Sequence, residues 1–259
     1  MQSSRDKRGV LKAAMEAVRA AVRTAIVLAD SMFNIRGLMR EDGAETPHPL
    51  AGDRAIEWSW VIVNLPSESS RVLDMGCVGS ILSVAAARLG HEVVAVDLRE
   101  IEYDFPGVTF LKADILQLDL AERSFDVIVS CSMIEHVGLP GRYGPQNPSD
   151  GDLLLMKSVG KLLKHGGKLI LTIPVGVDGI YPPFHRVYGR QRLKLLLGGY
   201  QIIGEEYWQK SDLGRWIRCS KEQALMIQGS TESYALGLYA MELGGMQSEP
   251  QEKAGQGAS

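Results

Sequence analysis

The stretch R-V-L-D-M-G-C-V-G-S at residues 71–80 decides the fold of this chain. It begins with a short apolar run that predicts a β-strand ending at Asp74, and Gly76 and Gly79 follow in the next loop. A helix is predicted directly after the loop, at residues 81–89. A strand, a glycine-containing loop and a helix in this order are typical of a βαβ unit in a parallel sheet.

The alternation of strands and helices continues along the chain. Apolar runs predict further strands and helices, the strands at 93–97, 108–112, 125–130 and 168–173 and the helices at 153–163 and 190–197. Two more strand-like runs, 201–208 and 234–243, follow close together and predict an antiparallel pair at one edge. The predicted fold is α/β: a Rossmann-like, doubly wound, mostly parallel sheet of seven strands with an antiparallel edge pair.

The two ends of the chain differ from this pattern. In residues 11–33 apolar side chains recur at three- and four-residue steps opposite a basic face, which predicts a long amphipathic helix. Residues 54–65 are compatible with a helix or an extended segment. We therefore expect an N-terminal helical extension or cap at 1–65, a main domain at 66–246 and a disordered tail at 247–259. The apolar stripe is compatible with packing on the domain or with a homodimer, and the basic face with an acidic partner or a membrane surface.

The composition is that of a globular, intracellular protein. The 259 residues are 45% hydrophobic and 23% charged, with a formal net charge of -3, which argues against a nucleic-acid partner although the basic arm leaves one open. The cysteines Cys77, Cys131 and Cys219 show no paired spacing, so we predict no disulfide framework, no metal site and a cytoplasmic location. No uncharged run approaches the roughly 20 residues of a membrane span.

Acidic residues stand at the ends of three successive predicted strands, at Asp74, Asp97 and Asp114. In an open α/β sheet, ligands bind outside these strand ends. A carboxylate at the first position is a poor neighbour for a pyrophosphate, because two like charges would lie close together in a cleft of lowered dielectric. The same carboxylate is a good neighbour for a ligand that carries an ammonium and a sulfonium.

The two later acids fit the other parts of such a ligand. Asp97 follows the glycine loop at the spacing from which an acidic residue accepts hydrogen bonds from ribose hydroxyls, and Asp114 can face an adenine amino group. Each Asp taken alone could equally be a turn or helix-cap residue. The three together favour S-adenosylmethionine as the cofactor over a dinucleotide.

These residues resemble the class I S-adenosylmethionine-dependent methyltransferases, over about residues 68–245. The resemblance is carried by R-V-L-D-M-G-C, by Asp97 and Asp114, and by the segments S-F-D-V-I-V-S and G-G-K-L-I-L-T-I-P. One departure is that Val78 and Ser80 stand where the family pattern Asp-x-Gly-x-Gly-x-Gly has its later glycines.

The resemblance implies how the cofactor is held. The first loop would wrap the methionine part, Asp97 would hold the ribose, and Asp114 with Ile115 would frame the adenine. The predicted cofactor-binding residues are Asp74, Gly76, Cys77, Gly79, Asp97, Leu98, Asp114, Ile115 and Ser130.

Two long loops on the same edge of the sheet carry the candidate acceptor residues. The loop at 130–152 contains Glu135 and His136, and the loop at 174–189 contains His185. Loops of this length in a compact domain are usually functional or disordered. The predicted substrate-binding residues are Arg142, Tyr143, Tyr181, Arg186 and Tyr188. The combination E-H-V-G…G-R-Y-G also resembles a little-characterised branch of the superfamily.

Methyl transfer to a hydroxyl group requires removal of its proton, and a histidine suits this role. His136 is the first candidate for the general base and His185 the second, with Glu135 orienting His136 or binding substrate. Arg142 and Arg186 could bind a phosphate or carboxylate of the acceptor. The alternatives are structural histidines and solvated surface arginines.

The sequence thus predicts a methyltransferase that acts on a hydroxyl group of a small molecule, such as a sugar or another metabolite with an acidic group. It lacks an Asn/Asp-Pro-Pro-Tyr/Phe motif after the fourth strand and a cysteine pair, which argues against a nucleic-acid base as acceptor. Two other functions remain open: a catalytically silent binding or scaffold protein, and a nicotinamide-dependent oxidoreductase. The second would have G-x-G-x-x-G without Asp74, and a Tyr-x-x-x-Lys pair.

Overall fold

The computed structural model describes residues 53–139 and 150–244. The predictions for the N-terminal amphipathic helix, for Arg142 and Tyr143 and for the C-terminal tail lie outside these residues. The described chain begins with helix α1 (Asp53–Asn64), so the segment that was compatible with a helix or an extended structure is helical.

Five parallel strands form the first part of the sheet. They are β1 (Arg71–Met75), β2 (Glu92–Asp97), β3 (Val108–Lys112), β4 (Phe125–Cys131) and β5 (Leu163–Val175). Helix α2 (Leu82–Arg88) joins β1 to β2, and α3 (Gly151–Leu162) precedes β5. The order β3-β2-β1-β4-β5 reverses between β1 and β4, so the loops after these two strands open onto the crevice where α/β sheets bind ligands.

The rest of the described chain adds a hairpin and three strands. The elements are β6 (Gly179–Tyr181), β7 (His185–Val187), α4 (Arg190–Leu196), β8 (Tyr200–Lys210), β9 (Trp216–Arg218), α5 (Lys221–Ala224) and β10 (Ala235–Leu243). Strand β10 pairs antiparallel with both β5 and β8. Strands β6 and β7 form a separate two-stranded sheet.

The predicted Rossmann-like α/β fold is confirmed, with differences of detail. The sheet has eight strands rather than seven, because β9 pairs with β8 at the edge. Strands β6, β7 and β9 span three residues each, too short to show the alternation by which a strand is found in a sequence. None of the described helices is long and apolar enough to cross a membrane.

Helices cover both faces of the parallel strands, which explains their continuous apolar sequences. Successive side chains of β1 point to opposite faces: Leu73 joins the core beneath α3, whereas Val72 joins the core beneath α1 and α2. Leu155 of α3 and Val61 of α1 are both at most 1% exposed. The three-layer arrangement leaves only the strand ends and their loops available for a ligand.

Candidate active site

The loops after β1, β2, β3 and β4 enclose one cavity at the reversal of strand order. Of the residues predicted from the sequence, its walls contain Gly76, Gly79, Asp97, Leu98, Asp114, Ile115 and His136. They also contain residues that the sequence did not single out for binding, among them Arg54, Arg99, Ser132 and Met133. The predicted convergence of the strand ends is thus observed.

The loop after β1 owes its shape to two glycines. Gly76 has a φ of 77° and Gly79 a φ of 84°, a left-handed conformation that favours glycine. At Gly76 an added Cβ would lie 2.8 Å from Met133 Cβ and closer still to Met133 Cγ, whereas at Gly79 it would meet nothing within 4 Å. Only Gly76 therefore serves both backbone conformation and close packing.

We expect Gly76→Ala to lower the free energy of unfolding by about 2–4 kcal/mol, since the left-handed backbone and the overlap with Met133 add up. Gly79→Ala is the matched control, because it carries only the backbone cost, about 1–2 kcal/mol. Denaturant titration of both variants checks this. Equal losses in the two variants would show that the contact with Met133 adds nothing.

Asp97 ends β2 and organises the loop opposite. Its Oδ2 accepts a hydrogen bond from the Val78 backbone N–H at 2.9 Å, and its Oδ1 accepts from the backbone N–H of Arg99 at 2.9 Å. The Arg99 guanidinium returns to the same loop by donating to the Val78 carbonyl at 2.9 Å. A carboxylate oxygen offers two lone pairs, so Asp97 Oδ2 can accept a further hydrogen bond from a ligand hydroxyl.

Asp114 holds its own turn after β3 while lining the cavity. Its Oδ1 accepts from the Leu116 backbone N–H at 3.0 Å and its Oδ2 from the Gln117 side chain at 3.2 Å. From the sequence, Asp114 could either stabilise its turn or line the binding site. In the structure it does both. Next to it, Leu98 and Ile115 give the wall an apolar portion suited to a flat ring, and Leu98 is 42% exposed.

Asp74, Cys77 and Ser130 do not belong to the cavity walls formed by the described residues. The Asp74 carboxylate is 2% exposed and accepts a hydrogen bond from Ser83 Oγ of α2. The alternation of β1 explains this, because Asp74 shares the face of Val72, which α2 covers. Asp74 thus lies behind the glycine loop, and its part in cofactor binding stays a prediction.

Burial raises the pKa of Asp74 to about 6, and the nearby Asp97 charge acts in the same direction against the Ser83 hydrogen bond. A raised carboxyl pKa means that the folded protein binds the proton more tightly than the unfolded chain. Stability from this group is therefore present at pH values below 3.8, and it is lost as the pH rises through about 6.

We expect Asp74→Asn to raise the free energy of unfolding by up to about 3 kcal/mol above pH 6 and to lose this advantage at low pH. Asp126→Asn is the control, because the pKa of Asp126 is shifted in the opposite direction. Burial raises the pKa of Asp126, but hydrogen bonds from Lys164 and Arg71 outweigh this and lower it, so its variant loses stability at neutral pH. Thermal unfolding across pH checks both signs. A gain that did not change with pH would mean that the Asp74 charge is not the cause.

The short 3-10 helix Ile134–His136 follows β4 and brings His136 to the cavity. Its Nδ1 contacts the backbone carbonyl oxygen of Phe184. A carbonyl oxygen only accepts, so Nδ1 must carry the hydrogen, and in the neutral ring Nε2 then bears the lone pair. Nε2 lies 3.8 Å from Glu135 Oε1. This tautomer is the one that a base acting through Nε2 requires.

Glu135 is 2% exposed and stands behind His136. Burial raises its pKa to about 8, and the charge of Glu57 adds to the effect. The carboxyl is therefore mostly protonated near neutral pH. Its Oε2 has no hydrogen-bond partner among residues 53–139 and 150–244. Glu135 is not one of the cavity-lining residues in these ranges, so the structure supports a contact with His136 rather than with the acceptor.

His185, the second candidate base, is a buried residue of β7. It is 5% exposed, its Nε2 lies 3.0 Å from the Ser230 carbonyl oxygen, and its ring packs between Tyr181 and Tyr234. The carbonyl makes Nε2 a donor, so this nitrogen is not available as a base. The structure therefore separates the two histidines: His136 reaches the cavity and His185 supports the fold.

The predicted acceptor-binding residues of the second loop also lie away from the cavity walls. Tyr188 is fully buried and donates to Asp152 Oδ2 at 3.1 Å, and Tyr181 donates to the Gly229 carbonyl at 2.7 Å. Arg186 is 1% exposed and donates to the carbonyl of Val137. Each of the three donates to a partner inside the domain, so the structure does not support the substrate-binding predictions, which stay predictions.

Arg54 of α1 is a cavity residue that the sequence analysis missed. Its guanidinium is held by Glu57 at 3.0 Å, and its side chain remains 49% exposed. Glu57 is fully buried and accepts a further hydrogen bond from Thr172 Oγ1 at 2.7 Å. The only local signal was the three-residue spacing of Arg54 and Glu57 on a helix, which is common on helix surfaces.

The chemistry of the cavity fits S-adenosylmethionine. The lining includes two carboxylates (Asp97 and Asp114) and two guanidinium groups (Arg54 and Arg99), and S-adenosylmethionine itself carries both signs of charge. The Arg99 guanidinium lies 3.4 Å from Asp97, so its charge is already balanced. At Gly79, by contrast with Gly76, the position of an added Cβ is open, so the backbone there can be approached closely by a ligand.

Curated relatives of the chain are methyltransferases. It is 26% identical over 197 residues to the ubiquinone biosynthesis O-methyltransferase of Xanthomonas campestris pv. campestris (strain B100), which covers 70% of this chain and 74% of that protein. The protein of the same name from Xanthomonas axonopodis pv. citri (strain 306) is 29% identical over the same length.

Solved structures agree on the fold. An S-adenosylmethionine-dependent methyltransferase from Mesorhizobium loti superposes with a TM-score of 0.52 at 17% identity, over 73% of this chain and 99% of that one. The predicted class, a methyltransferase that uses S-adenosylmethionine, is confirmed at this level. The narrower resemblance of the E-H-V-G loop to one branch stays a prediction.

A family model described as "Caenorhabditis protein of unknown function, DUF268" matches residues 77–234. The match runs from the glycine loop to the start of β10 and includes the loops of both histidines. It spans more than half of the chain, and this protein therefore belongs to the DUF268 family.

Proposed function

We propose that the protein transfers a methyl group to a hydroxyl group of a small-molecule acceptor, with His136 as the general base. The observation that carries the proposal is the placement of His136: it lines the cavity, and its contact with the Phe184 carbonyl leaves the lone pair on Nε2. A hydroxyl acceptor needs such a base, whereas a sulfur or carbon nucleophile can be activated by other means. The relatives named O-methyltransferases support the same choice of acceptor atom.

The cofactor would be held by residues that the cavity already presents. Asp97 would accept hydrogen bonds from ribose hydroxyls, Asp114 with Leu98 and Ile115 would enclose the adenine, and Arg54 would pair with the carboxylate of the methionine part. S-adenosylmethionine supplies an electrophilic methyl group on a sulfonium. The loop of Gly76 and Gly79 would hold the chain of the methionine part.

His136 would act on the proton of the acceptor. The hydroxyl proton passes to Nε2, and the electron pair of the O–H bond stays on the oxygen that forms the new bond to carbon. The imidazolium so formed is stabilised on one side by the Phe184 carbonyl. The buried Glu135 lies 3.8 Å from Nε2, so in its ionised form it would balance the charge of the imidazolium.

Turnover to S-adenosylhomocysteine tests the proposal. Protocatechuate and glucuronate are suitable hydroxyl-bearing acids, and aminobenzoate is the matched acceptor that offers nitrogen instead. We expect mass spectrometry to find a methyl ether from the hydroxyl acceptors and no methylamine. Methylation of aminobenzoate alone would overturn the choice of oxygen, and calorimetry showing binding of NADH but not of S-adenosylmethionine would overturn the whole function.

A further inference from the structure

The strand β7 and the residue before it contact the helical turn of His136 at three points. The Phe184 carbonyl accepts from His136 Nδ1. The guanidinium of Arg186 donates through Nη1 to the carbonyl of Val137 and, at 3.4 Å, to that of Glu135. We call this pair of groups, the Phe184 carbonyl and the Arg186 guanidinium, the β7 clamp. The two carbonyls that it holds belong to the residues on either side of His136.

The clamp is fixed from behind by a buried acid. Asp152 of α3 is 0% exposed and lies 3.9 Å from Arg186 Nε. It also accepts from Arg192 at 2.6 Å and 2.9 Å and from the Tyr188 hydroxyl at 3.1 Å. A buried guanidinium without a counter-charge would be costly, so Asp152 makes the position of Arg186 stable. Arg192 shares Asp152 and also donates to Asp150.

A short turn with few hydrogen bonds of its own would not hold a catalytic ring at one place. The 3-10 helix Ile134–His136 spans three residues, and 3-10 geometry is weaker than that of an α-helix. A displacement of about 1 Å at a catalytic group can cost about a hundredfold in rate. An external support for this turn is therefore a functional requirement.

We propose that Arg186 is a positioning residue: through the carbonyls of Glu135 and Val137 it holds the turn so that Phe184 fixes His136 in the Nδ1–H tautomer with Nε2 toward the cavity. The catalytic meaning of this arrangement rests on the proposed function, but the arrangement itself is a property of the protein without any acceptor. It assigns Arg186, which the sequence linked to substrate, to the support of the base.

The test is nitrogen NMR of the full chain labelled at its histidines, with His136→Gln used to assign the resonances of His136. In the wild type we expect two well-separated imidazole nitrogen signals, with Nδ1 protonated. In Arg186→Lys, whose single ammonium cannot reach both carbonyls, the two signals should move together as the tautomers mix. Arg192→Lys alters the same Asp152 but keeps the hydrogen bonds of Arg186 to the turn, so it should leave the His136 signals unchanged.

Binding of S-adenosylhomocysteine is measured in parallel, and its Kd should stay within about threefold in both variants. A protonated Nε2 in the wild type, or equal effects of Arg186→Lys and Arg192→Lys, would overturn the proposal. The wild-type spectrum tests the predicted tautomer of His136 even where Arg186→Lys fails to fold. If His136→Gln kept full activity while the wild type showed the Nδ1–H tautomer, His136 would not be the general base. The positioning role of Arg186 would still be supported.

Discussion

Replacing His136 by Gln should lower kcat with a hydroxyl acceptor by about a hundred- to ten-thousand-fold. The amide of Gln can occupy the place of Nε2 but cannot take up a proton at neutral pH, so the acceptor would have to react with its hydroxyl proton in place. His136 belongs to the turn after β4, whereas Asp97 ends β2 and Asp114 follows β3. The Kd of S-adenosylmethionine should therefore change little, and the loss should fall on kcat.

His185→Gln is the matched control. Gln keeps a donor for the Ser230 carbonyl, and His185 does not line the cavity formed by the described residues. We expect a modest loss of stability and a kcat close to that of the wild type. Steady-state rates at saturating cofactor, with calorimetry of cofactor binding, separate the two histidines. A His185 variant that is inactive while His136→Gln is active would reverse the assignment.

The fold could be predicted from the sequence because both faces of the parallel strands are covered. Such strands are apolar throughout and stand out against the glycine, proline and polar residues of their loops. The strand at 108–112 has the predicted bounds, and the bounds of β1, β2 and β4 differ by one residue each. The hairpin of β6 and β7 carries no such signal, since each of its strands has only three residues and mixes apolar with polar side chains.

The site could be predicted only in part, for reasons that lie in side-chain direction. Strand ends are visible in a sequence, so Asp97 and Asp114 were placed correctly at the cavity. Whether a polar side chain near a strand end points to the cavity or into the domain is decided by packing. Asp74 faces α2, and Arg186 faces the turn of His136.

Arg54 shows a second reason why the site could be predicted only in part from the sequence. It lies on α1, 22 positions before Gly76, and reaches the cavity only because α1 packs on the sheet beside β4 and β5. The contact is long-range, and no local motif records it. Its partner Glu57 is fully buried, although charged residues are rarely buried without a paired group. The burial therefore reflects the packing of α1 on the sheet and the hydrogen bond from Thr172, neither of which a single sequence reveals.

Asp97→Asn should weaken the binding of S-adenosylmethionine by about a hundredfold, the equivalent of about 2.7 kcal/mol. The amide removes a charge and replaces one acceptor oxygen by a donor, which would face the backbone N–H of Val78 or of Arg99 and break one of these hydrogen bonds. Both the ribose contact and the shape of the glycine loop would suffer. Calorimetry with S-adenosylmethionine and thermal unfolding without it separate the loss of binding from a loss of folding.

Asp114→Asn is the comparison, because Asp114 accepts from a side chain and a backbone N–H within its own turn and does not hold the glycine loop. We expect about a tenfold loss or less for this variant. Comparison of the two variants tests whether Asp97, at the end of β2, is the main polar contact of the cofactor. Wild-type affinity in a well-folded Asp97→Asn variant would mean that the cofactor binds elsewhere, and the assignment of the cavity would have to be abandoned.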